Sequence, residues 1–275
     1  MCAINITLDD FSLPKIAESG QCFRIRRFVD STYRFITEGS ILYIRELSQG
    51  RFEADCTPED WEAVWSRYFD LGRDYAQLRA AIPKDDTYMR QAAEAGRGIR
   101  ILRQDPWETL VAFIISQRKS IPAIQGAVEL LSDRFGTRIV TARETICTFP
   151  SPEQLSRADE TALSECKLGY RTPYILDAID KVCSGALNLT ALSDCKNTEL
   201  LEALKHVNGV GEKIANCVAL FAYGRAGIAP VDTWIGRVIG ERYGGVNPFP
   251  AYGDAAGIMQ QYVFYYALNH KNELN

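Results

Sequence analysis

Short runs in which apolar and polar residues partly alternate fill the first third of the chain, and they are rich in aromatic and β-branched residues. A period of two is typical of strands with one buried face. Turn signals at residues 38–40 (Glu-Gly-Ser) and 48–50 (Ser-Gln-Gly) separate the runs. The pattern therefore predicts an antiparallel meander with one face packed against helices. Its strands are expected at residues 22–28, 32–37, 41–47 and 51–55.

From residue 57 onward the spacing of apolar residues becomes helical. Thr57, Asp105 and Ser151 each precede a proline, which indicates a helix that starts with a side-chain cap and a proline in its first turn. Glu108 and Gln154 stand three residues after the second and third caps, as in a capping box. Further helices are expected at 121–135, 171–184, 197–206, 212–224, 233–243 and 251–268.

These elements predict an α+β fold. An N-terminal antiparallel sheet domain with flanking helices is expected over residues 1–104, and a larger all-helical domain over residues 105–275. The length of 275 residues allows two domains, or one large domain, with a substantial core. The longest apolar run, residues 111–115, is far too short to cross a bilayer, so no membrane partner is expected.

Composition adds a few limits to this picture. The chain is 47% hydrophobic and 24% charged, as in an ordinary globular protein. Residues 1–8 show no secretory leader, so an intracellular location is expected: cytoplasmic, and associated with the nucleoid if the source is bacterial. The eight cysteines include no Cys-x-x-Cys pair and are accompanied by only two histidines. Reduced thiols are therefore expected, with neither a zinc site nor an iron–sulfur cluster.

The net charge of −4 gives no support to nucleic-acid binding through the whole surface, so any DNA site must be local. Arg97, Arg100 and Arg103 are three cations in a short stretch without an intervening acid. Taken alone, this stretch is better explained as a solvated charged segment than as a DNA contact.

The segment at residues 208–213 (Asn-Gly-Val-Gly-Glu-Lys) joins two predicted helices and predicts a helix–hairpin–helix over about 198–224. Glycine at 209 and 211 lets the backbone turn tightly and approach another molecule, and Val210 is expected to anchor the turn. The amides that open the second helix suit a phosphate, which such a hairpin binds without reading sequence. A tight turn without a ligand is the alternative.

Lys213 and Asp232 are the candidate catalytic residues. A lysine in the first turn of a helix is electrostatically misplaced, although a solvated surface lysine is the commoner explanation. Asp232 follows nineteen residues later, just before another helix, where it could simply be the N-cap. As a pair entering one cleft, they suit cleavage of a glycosidic bond. The carboxylate would stabilise the cationic sugar, and the neutral amine would attack the anomeric carbon and form a Schiff base.

This segment resembles the helix-hairpin-helix DNA glycosylase superfamily, whose signature is a Gly-rich hairpin with an aspartate about twenty residues on. Lys213 matches the position that is lysine in bifunctional members. Within the superfamily the chain resembles the 8-oxoguanine DNA glycosylases over nearly its whole length. The matching segments are residues 20–24 (Gly-Gln-Cys-Phe-Arg), 102–106 and 168–171, together with Gln260 and Phe264.

The resemblance implies a base-flipping enzyme. It implies that the Gly20 carbonyl accepts the extra N–H of the oxidised base and that Gln260 binds the pairing edge. Phe264 and Cys217 would sandwich the base, and Tyr170 would wedge into the stack. Without the resemblance, each of these five is better explained as a turn, packing or surface residue. It also implies that Arg171 contacts DNA, that no cofactor is required, and that a structural cation can sit at the hairpin.

Three positions depart from the family pattern. Arg118 stands where better-known members carry an asparagine that contacts the cytosine opposite the lesion, and Ala123 stands where they carry an arginine. Trp234 replaces a common phosphate-contacting histidine. Arg118 and Trp234 are still expected to contact DNA. Because alanine cannot hydrogen-bond a base, a relaxed preference for the opposite base is expected.

The sequence thus predicts a monomeric DNA glycosylase with AP lyase activity that acts on duplex DNA containing 8-oxoguanine. One alternative is a glycosylase for another damaged base, such as an alkylated purine. Others are a non-catalytic helix–hairpin–helix module that only docks on DNA, and a protein-interaction domain with a coincidental hairpin.

Overall fold

A five-stranded antiparallel sheet with strand order β1-β5-β4-β3-β2 is formed by the first part of the chain. The structure, a computed structural model, describes residues 3–270. The order of β2 to β5 confirms the predicted meander, because consecutive strands in that range are neighbours. Its strands are β1 (Ile4–Thr7), β2 (Arg26–Arg27), β3 (Tyr33–Thr37), β4 (Ser40–Ser48) and β5 (Arg51–Ala54).

Two strand predictions need correction. Strand β1 was not predicted, because it forms by pairing with the distant β5, with Ile4 opposite Ala54, and not by a local turn. The strand expected at 22–28 is wrong over most of its length, since only Arg26–Arg27 pair with β3. Residues 22–24 are buried in a loop, so their apolar pattern reflects burial without strand pairing.

Five helices accompany the sheet, and α2 continues through a π-helical turn (Trp61–Trp65) into α3. The inner face of the sheet packs on this segment through an aromatic cluster in which Phe69 meets Phe11, Phe35 and Tyr68 edge to face. The five are α1 (Leu13–Glu18), α2 (Pro58–Asp60), α3 (Ser66–Tyr68), α4 (Tyr75–Ala80) and α5 (Thr87–Ala95).

The middle of the chain is helical apart from a two-stranded antiparallel sheet of β6 (Arg138–Val140) and β7 (Thr145–Cys147). Helix α6 is almost entirely buried, and α7, α10 and α12 pack against it. The helices are α6 (Pro106–Ser116), α7 (Ile121–Phe135), α8 (Pro152–Leu155), α9 (Glu160–Ser164), α10 (Thr172–Cys183), α11 (Asn197–Lys205) and α12 (Glu212–Phe221).

The last part of the chain forms α13 (Thr233–Arg242), a 3₁₀ segment (Phe249–Ala255) and α14 (Ala256–Asn269). Helix α14 packs on α5 and on α13. No helix within residues 3–270 has the length and apolar character needed to cross a membrane.

The chain divides into two compact units. The sheet unit contains residues 1–35, 42–103 and 224–275, and the helical unit contains residues 36–41 and 104–223. The chain therefore crosses between units near the predicted boundary at residue 104 and crosses back at residue 224. The predicted helical domain includes α13 and α14, whereas in the structure both helices belong to the sheet unit. Helix α14 packs there on α5, which is distant in sequence, so no local pattern reveals this placement.

Side-chain caps begin several helices, as the sequence indicates. Thr57 accepts from the amide of Asp60, and Asp105 from that of Glu108. Ser151 and Gln154 form a complete capping box at α8. Each cap satisfies an amide that the helix itself leaves unbonded.

Candidate active site

The hairpin (residues 207–211) turns between α11 and α12 on one glycine with positive φ. Gly209 has φ +78, whereas Gly211 has φ −94. A Cβ at Gly209 would lie 2.3 Å from Cδ2 of Tyr174, so both the backbone and the space require glycine there. Val210 is buried, as expected for the residue that anchors the turn.

The hairpin presents unbonded amides. The Val210 amide donates to the Val207 carbonyl at 3.0 Å, which closes the turn. The amides of Gly209 and Gly211 donate to no acceptor in the part of the chain that the structure describes. Helix α12 starts directly after them and adds its own N-terminal amides and dipole. This arrangement is suited to one phosphate group.

Lys213 is the second residue of α12 and is half-buried. Its Nζ lies 3.5 Å from Ser116 Oγ and 5.2 Å from the centre of the Phe113 ring, both at the end of α6. Ser116 Oγ donates its own proton to the Phe113 carbonyl at 2.7 Å, which leaves its lone pairs for the amine. The neighbours of the amine are thus a hydroxyl and an aromatic face.

Asp232 is the N-cap of α13. Its Oδ1 accepts from the Ile235 amide at 2.8 Å, so the capping role that the sequence allows is real. Its Oδ2 accepts from no group among residues 3–270. Capping therefore fixes the carboxylate while one oxygen stays available for other chemistry.

Tyr170 projects from the turn before α10, with 52% of its surface exposed. Its ring packs edge-on against Tyr174, with 6.2 Å between the ring centres, and the guanidinium of Arg171 lies 4.3 Å from its own ring centre. Arg171 itself is buried and donates to the Leu168 carbonyl. A braced, exposed aromatic ring suits a wedge, and Arg171 is placed to support it. The predicted DNA contact of Arg171 stays a prediction.

The loop after α6 lies beside this wedge. Tyr170 Oη is 3.5 Å from the Gln117 carbonyl, and the next residue, Arg118, is exposed with φ +50. Lys119 donates to the carbonyl of Lys167, which also has positive φ. Burial, Arg171 and Lys167 lower the pKa of Lys119. Backbone strain of this kind is concentrated at functional sites, and here the strained residues are cationic.

Three of the residues predicted to recognise the base, Gly20, Gln260 and Phe264, lie in the sheet unit. Gly20 has φ +74, and the carbonyl of the preceding Ser19 accepts from Gln261 Nε2 at 2.5 Å. This bond ties the Gly20 turn to α14, which also carries Gln260 and Phe264 one turn apart. Gln260 is only 4% exposed, and its Oε1 is buried without a partner among residues 3–270.

Two further predicted residues, Cys217 and Trp234, lie on α12 and α13. Cys217 is a buried thiol on α12, one turn after Lys213. Trp234 lies in the first turn of α13, with the Arg237 guanidinium 5.4 Å from its ring centre. The structure places Lys213, Cys217, the hairpin, the wedge and Arg118 in the helical unit. It places Gly20, Gln260, Phe264, Asp232 and Trp234 in the sheet unit.

The arginine stretch is mainly structural. Arg100 is buried, stacks on Tyr75 at 3.9 Å and donates to three backbone carbonyls. Arg103 forms a 2.6 Å ion pair with the buried Asp70. Among residues 3–270 no group of three or more His, Cys, Asp or Glu side chains could hold a metal ion.

Several residues near these groups carry no functional signal in the sequence. Ser116, Tyr174 and Lys119 gave no signal, because their positions relative to Lys213, Gly209 and Tyr170 arise only from packing between helices. Asp177 and Lys181 were visible only as an acid and a base four residues apart, which many surface helices share.

Family comparisons agree with this geometry. Residues 3–110 match the model of the 8-oxoguanine DNA glycosylase N-terminal domain. Residues 111–262 match that of the HhH-GPD superfamily of base excision DNA repair proteins. The chain is 35% identical over 204 residues to the N-glycosylase/DNA lyase of Saccharomyces cerevisiae; the match covers 69% of this chain and 54% of that protein. The chain thus spans about half the length of that relative.

Solved structures give the same result. A structure of MBOgg1 with a low-affinity DNA ligand is 36% identical with a TM-score of 0.92, covering 98% of this chain and 96% of that one. The 8-oxoguanine glycosylase/lyase of Clostridium acetobutylicum, with DNA containing cytosine opposite 8-oxoG, is 32% identical with a TM-score of 0.89, covering 96% and 93%.

The 3-methyladenine DNA glycosylase of Archaeoglobus fulgidus has a TM-score of 0.74 at 18% identity, covers 96% of this chain and 97% of its own, and shares the fold. The resemblance inferred from the sequence is therefore confirmed. This chain belongs to the HhH-GPD superfamily of base excision DNA repair proteins, and it carries the N-terminal domain of the 8-oxoguanine DNA glycosylases.

Proposed function

We propose that the chain is a bifunctional DNA glycosylase that excises 8-oxoguanine from duplex DNA and then nicks the abasic site. The observation that carries this proposal is the placement of Lys213, directly after a hairpin with unbonded amides. No carboxylate of its own unit lies within ion-pair distance of its amine, whose neighbours are Ser116 and Phe113. Gly209, on which the hairpin turns, and the nucleophile Lys213 are thus four positions apart in the chain.

The chemistry follows from an amine and a carboxylate. The neutral Lys213 amine attacks C1′ of the flipped nucleotide while the C1′–N9 bond breaks and the base leaves with the bonding electrons and takes up a proton. Asp232 stabilises the positive charge on the sugar as this bond breaks. The sugar ring then opens to a Schiff base. Loss of a C2′ proton expels the 3′ phosphate, which nicks the strand by β-elimination.

Recognition of the base is assigned to Gly20, Gln260, Phe264 and Cys217. The buried, unpartnered Oε1 of Gln260 supports this assignment. A buried acceptor left without a donor costs about 1–3 kcal/mol. An N–H on the pairing edge of a flipped base would remove that cost, whereas ordinary core packing would not.

The cytosine opposite the lesion is expected to be read weakly. Ala123 is exposed and its side chain offers no hydrogen bond to a base, and Arg118 stands in place of the asparagine of the family pattern. We therefore propose that the protein has only a weak preference for the base opposite the lesion. The monomeric state, the intracellular location, the absence of a required cofactor and the hairpin cation stay predictions.

Release of free base from a panel of duplexes tests the substrate. The panel contains 8-oxoguanine, guanine or 3-methyladenine at one position, with protein in excess. Release of 8-oxoguanine alone is expected. Release of 3-methyladenine alone would make the chain an alkylated-base glycosylase. Binding to all three duplexes without release from any would make it a non-catalytic DNA-binding module.

A further inference from the structure

Helix α10 braces the hairpin through two charged side chains. Asp177 and Lys181 lie one turn apart and form an ion pair of 2.6 Å. Asp177 also accepts from the Asn208 amide at 2.8 Å and from Asn208 Nδ2 at 3.0 Å. Lys181 donates to the His206 carbonyl at 2.8 Å. Both side chains therefore contact the backbone on which the hairpin turns.

The hydrogen-bond capacity of the pair is fully used. A carboxylate has about four acceptor sites, and those of Asp177 are taken by two contacts from Lys181 and two from Asn208. An ammonium has three donors, and Lys181 directs them to the two oxygens of Asp177 and to His206. An ordinary solvated ion pair on a helix surface would not also bond the backbone of a neighbouring turn, as this pair does at His206 and Asn208.

A third side chain of α10 completes the brace. The Tyr174 ring fills the space beside Gly209 where a Cβ would lie, and the same ring packs edge to face with Tyr170. Tyr174, Asp177 and Lys181 therefore present one face of α10 to the turn. The same face touches the exposed ring of Tyr170, so one helix supports both the hairpin and the wedge.

We propose that Asp177 and Lys181 are positioning residues for the hairpin, which they hold in the shape that binds a DNA phosphate. This inference rests on the proposed function. Asp177 accepts from the Asn208 amide and so fixes the start of the turn, in which the amides of Gly209 and Gly211 donate to no acceptor among residues 3–270 and stay available to a phosphate. Lys181 neutralises Asp177 and thereby removes the repulsion that a carboxylate would exert on a nearby phosphate.

The chain offers a matched control for the charge. Lys205 stands at the end of α11 and pairs with Glu202 at 2.6 Å and Glu212 at 3.4 Å, without a hydrogen bond to the turn. Lys181→Met and Lys205→Met each remove one positive charge near the hairpin. A role through charge alone predicts equal effects, whereas a role in positioning predicts an effect of Lys181→Met alone.

The first experiment measures the affinity of the intact protein for a duplex with a tetrahydrofuran abasic-site analogue, which binds without reacting. Lys181→Met is expected to weaken binding about tenfold, and Lys205→Met to change it less than about threefold. The single-turnover rate of 8-oxoguanine release at saturating protein is expected to change much less than the affinity. Equal losses in both variants, or unchanged binding in Lys181→Met, would overturn the proposal.

The second experiment needs no DNA. Hydrogen exchange of the Asn208 amide is measured in the free protein and in Asp177→Leu, whose side chain has a similar size but cannot accept a hydrogen bond. Exchange is expected to be slow in the wild type and at least tenfold faster in the variant. Equal exchange rates would contradict a positioning role. If Asn208 is protected as expected but no damaged base is released, the proposed function fails while the bracing of the hairpin stands.

Discussion

The loop at residues 19–21 and the hairpin at residues 207–211 both turn on a glycine with positive φ, but their polar groups find partners in different places. In the loop, Ser19 donates to the Ile16 carbonyl, and Gln21 bonds Ser19, the Arg100 carbonyl and the Leu102 amide. In the hairpin, the amides of Gly209 and Gly211 have no acceptor among residues 3–270.

This difference separates structural from ligand-binding turns. A glycine turn in the sequence shows that the backbone bends but not what the bend is for. Polar groups satisfied inside the protein hold a shape, and groups left unsatisfied mark where another molecule supplies the partner. The same contrast holds for two buried glutamines, because the side chain of Gln21 is bonded within the protein and Oε1 of Gln260 has no partner among residues 3–270.

The largest effect is expected from Asp232→Asn. Asparagine caps a helix as well as aspartate does, so the stability should be retained. The negative charge that stabilises the sugar cation is lost, so single-turnover excision of 8-oxoguanine should fall by about 100-fold or more. Quench-flow kinetics measures the rate, and thermal unfolding measures the stability.

Asp105→Asn is the matched control for that prediction. Burial raises the pKa of Asp105 above its ordinary value. A raised pKa means that its charged form is disfavoured by folding, so the variant should be as stable as the wild type or more stable at neutral pH. The gain should shrink as the pH falls through that raised pKa. An equal loss of excision in both variants would show that the effect of Asp232→Asn is not specific to the charge at that position.

Gln21→Ala should produce the next largest effect, on stability. The side chain is fully buried and makes three hydrogen bonds that join residues 19, 100 and 102. Their loss, with the cavity left behind, should lower the free energy of unfolding by about 3 kcal/mol. Urea denaturation measures this. A change below about 1 kcal/mol would remove the distinction between the satisfied loop and the unsatisfied hairpin.

Gln260→Met should affect activity and not stability. The unpartnered Oε1 costs the folded state about 1–3 kcal/mol, so its removal should leave the stability unchanged or raise it by up to that amount. The rate of 8-oxoguanine excision should fall about tenfold, because one hydrogen bond to the base is lost. A destabilised variant with full activity would mean that Gln260 has a structural role like that of Gln21.

Ala123→Arg is expected to have the smallest effect. It places a hydrogen-bond donor at the position where the family pattern has one, so the preference for cytosine opposite the lesion should rise about fivefold. Excision from the four opposite-base duplexes measures the preference. A strong cytosine preference in the wild type would contradict the proposed relaxed opposite-base preference. It would assign recognition of the opposite cytosine to Arg118.

The sequence predicts most helix bounds, because the signals that set them lie within or beside each helix. The bounds of α7 agree with the prediction, and α10 to α13 agree within a few residues, because caps, prolines and apolar spacing are local signals. Strand β1, the buried loop at 22–24 and the return of α13 and α14 to the sheet unit depend on distant partners, so no local pattern reveals them.

The candidate site shows the same division. The hairpin, Lys213 and Asp232 follow from spacing and chemistry, and Gly20, Gln260 and Tyr170 were reached only through the resemblance. The bracing by Tyr174, Asp177 and Lys181 could not be predicted, because it is created when α10 packs beside the turn between α11 and α12. An acid and a base four residues apart have too many other uses to indicate it.

Borohydride trapping tests the central claim most directly. The wild type, Lys213→Gln and the control Lys205→Gln are each mixed with a duplex containing one 8-oxoguanine, and sodium borohydride reduces any Schiff base to a stable adduct. A covalent protein–DNA adduct is expected with the wild type and with Lys205→Gln, and none with Lys213→Gln. An adduct with Lys213→Gln, or free base released by the wild type without an adduct, would contradict the assignment of Lys213 as the nucleophile.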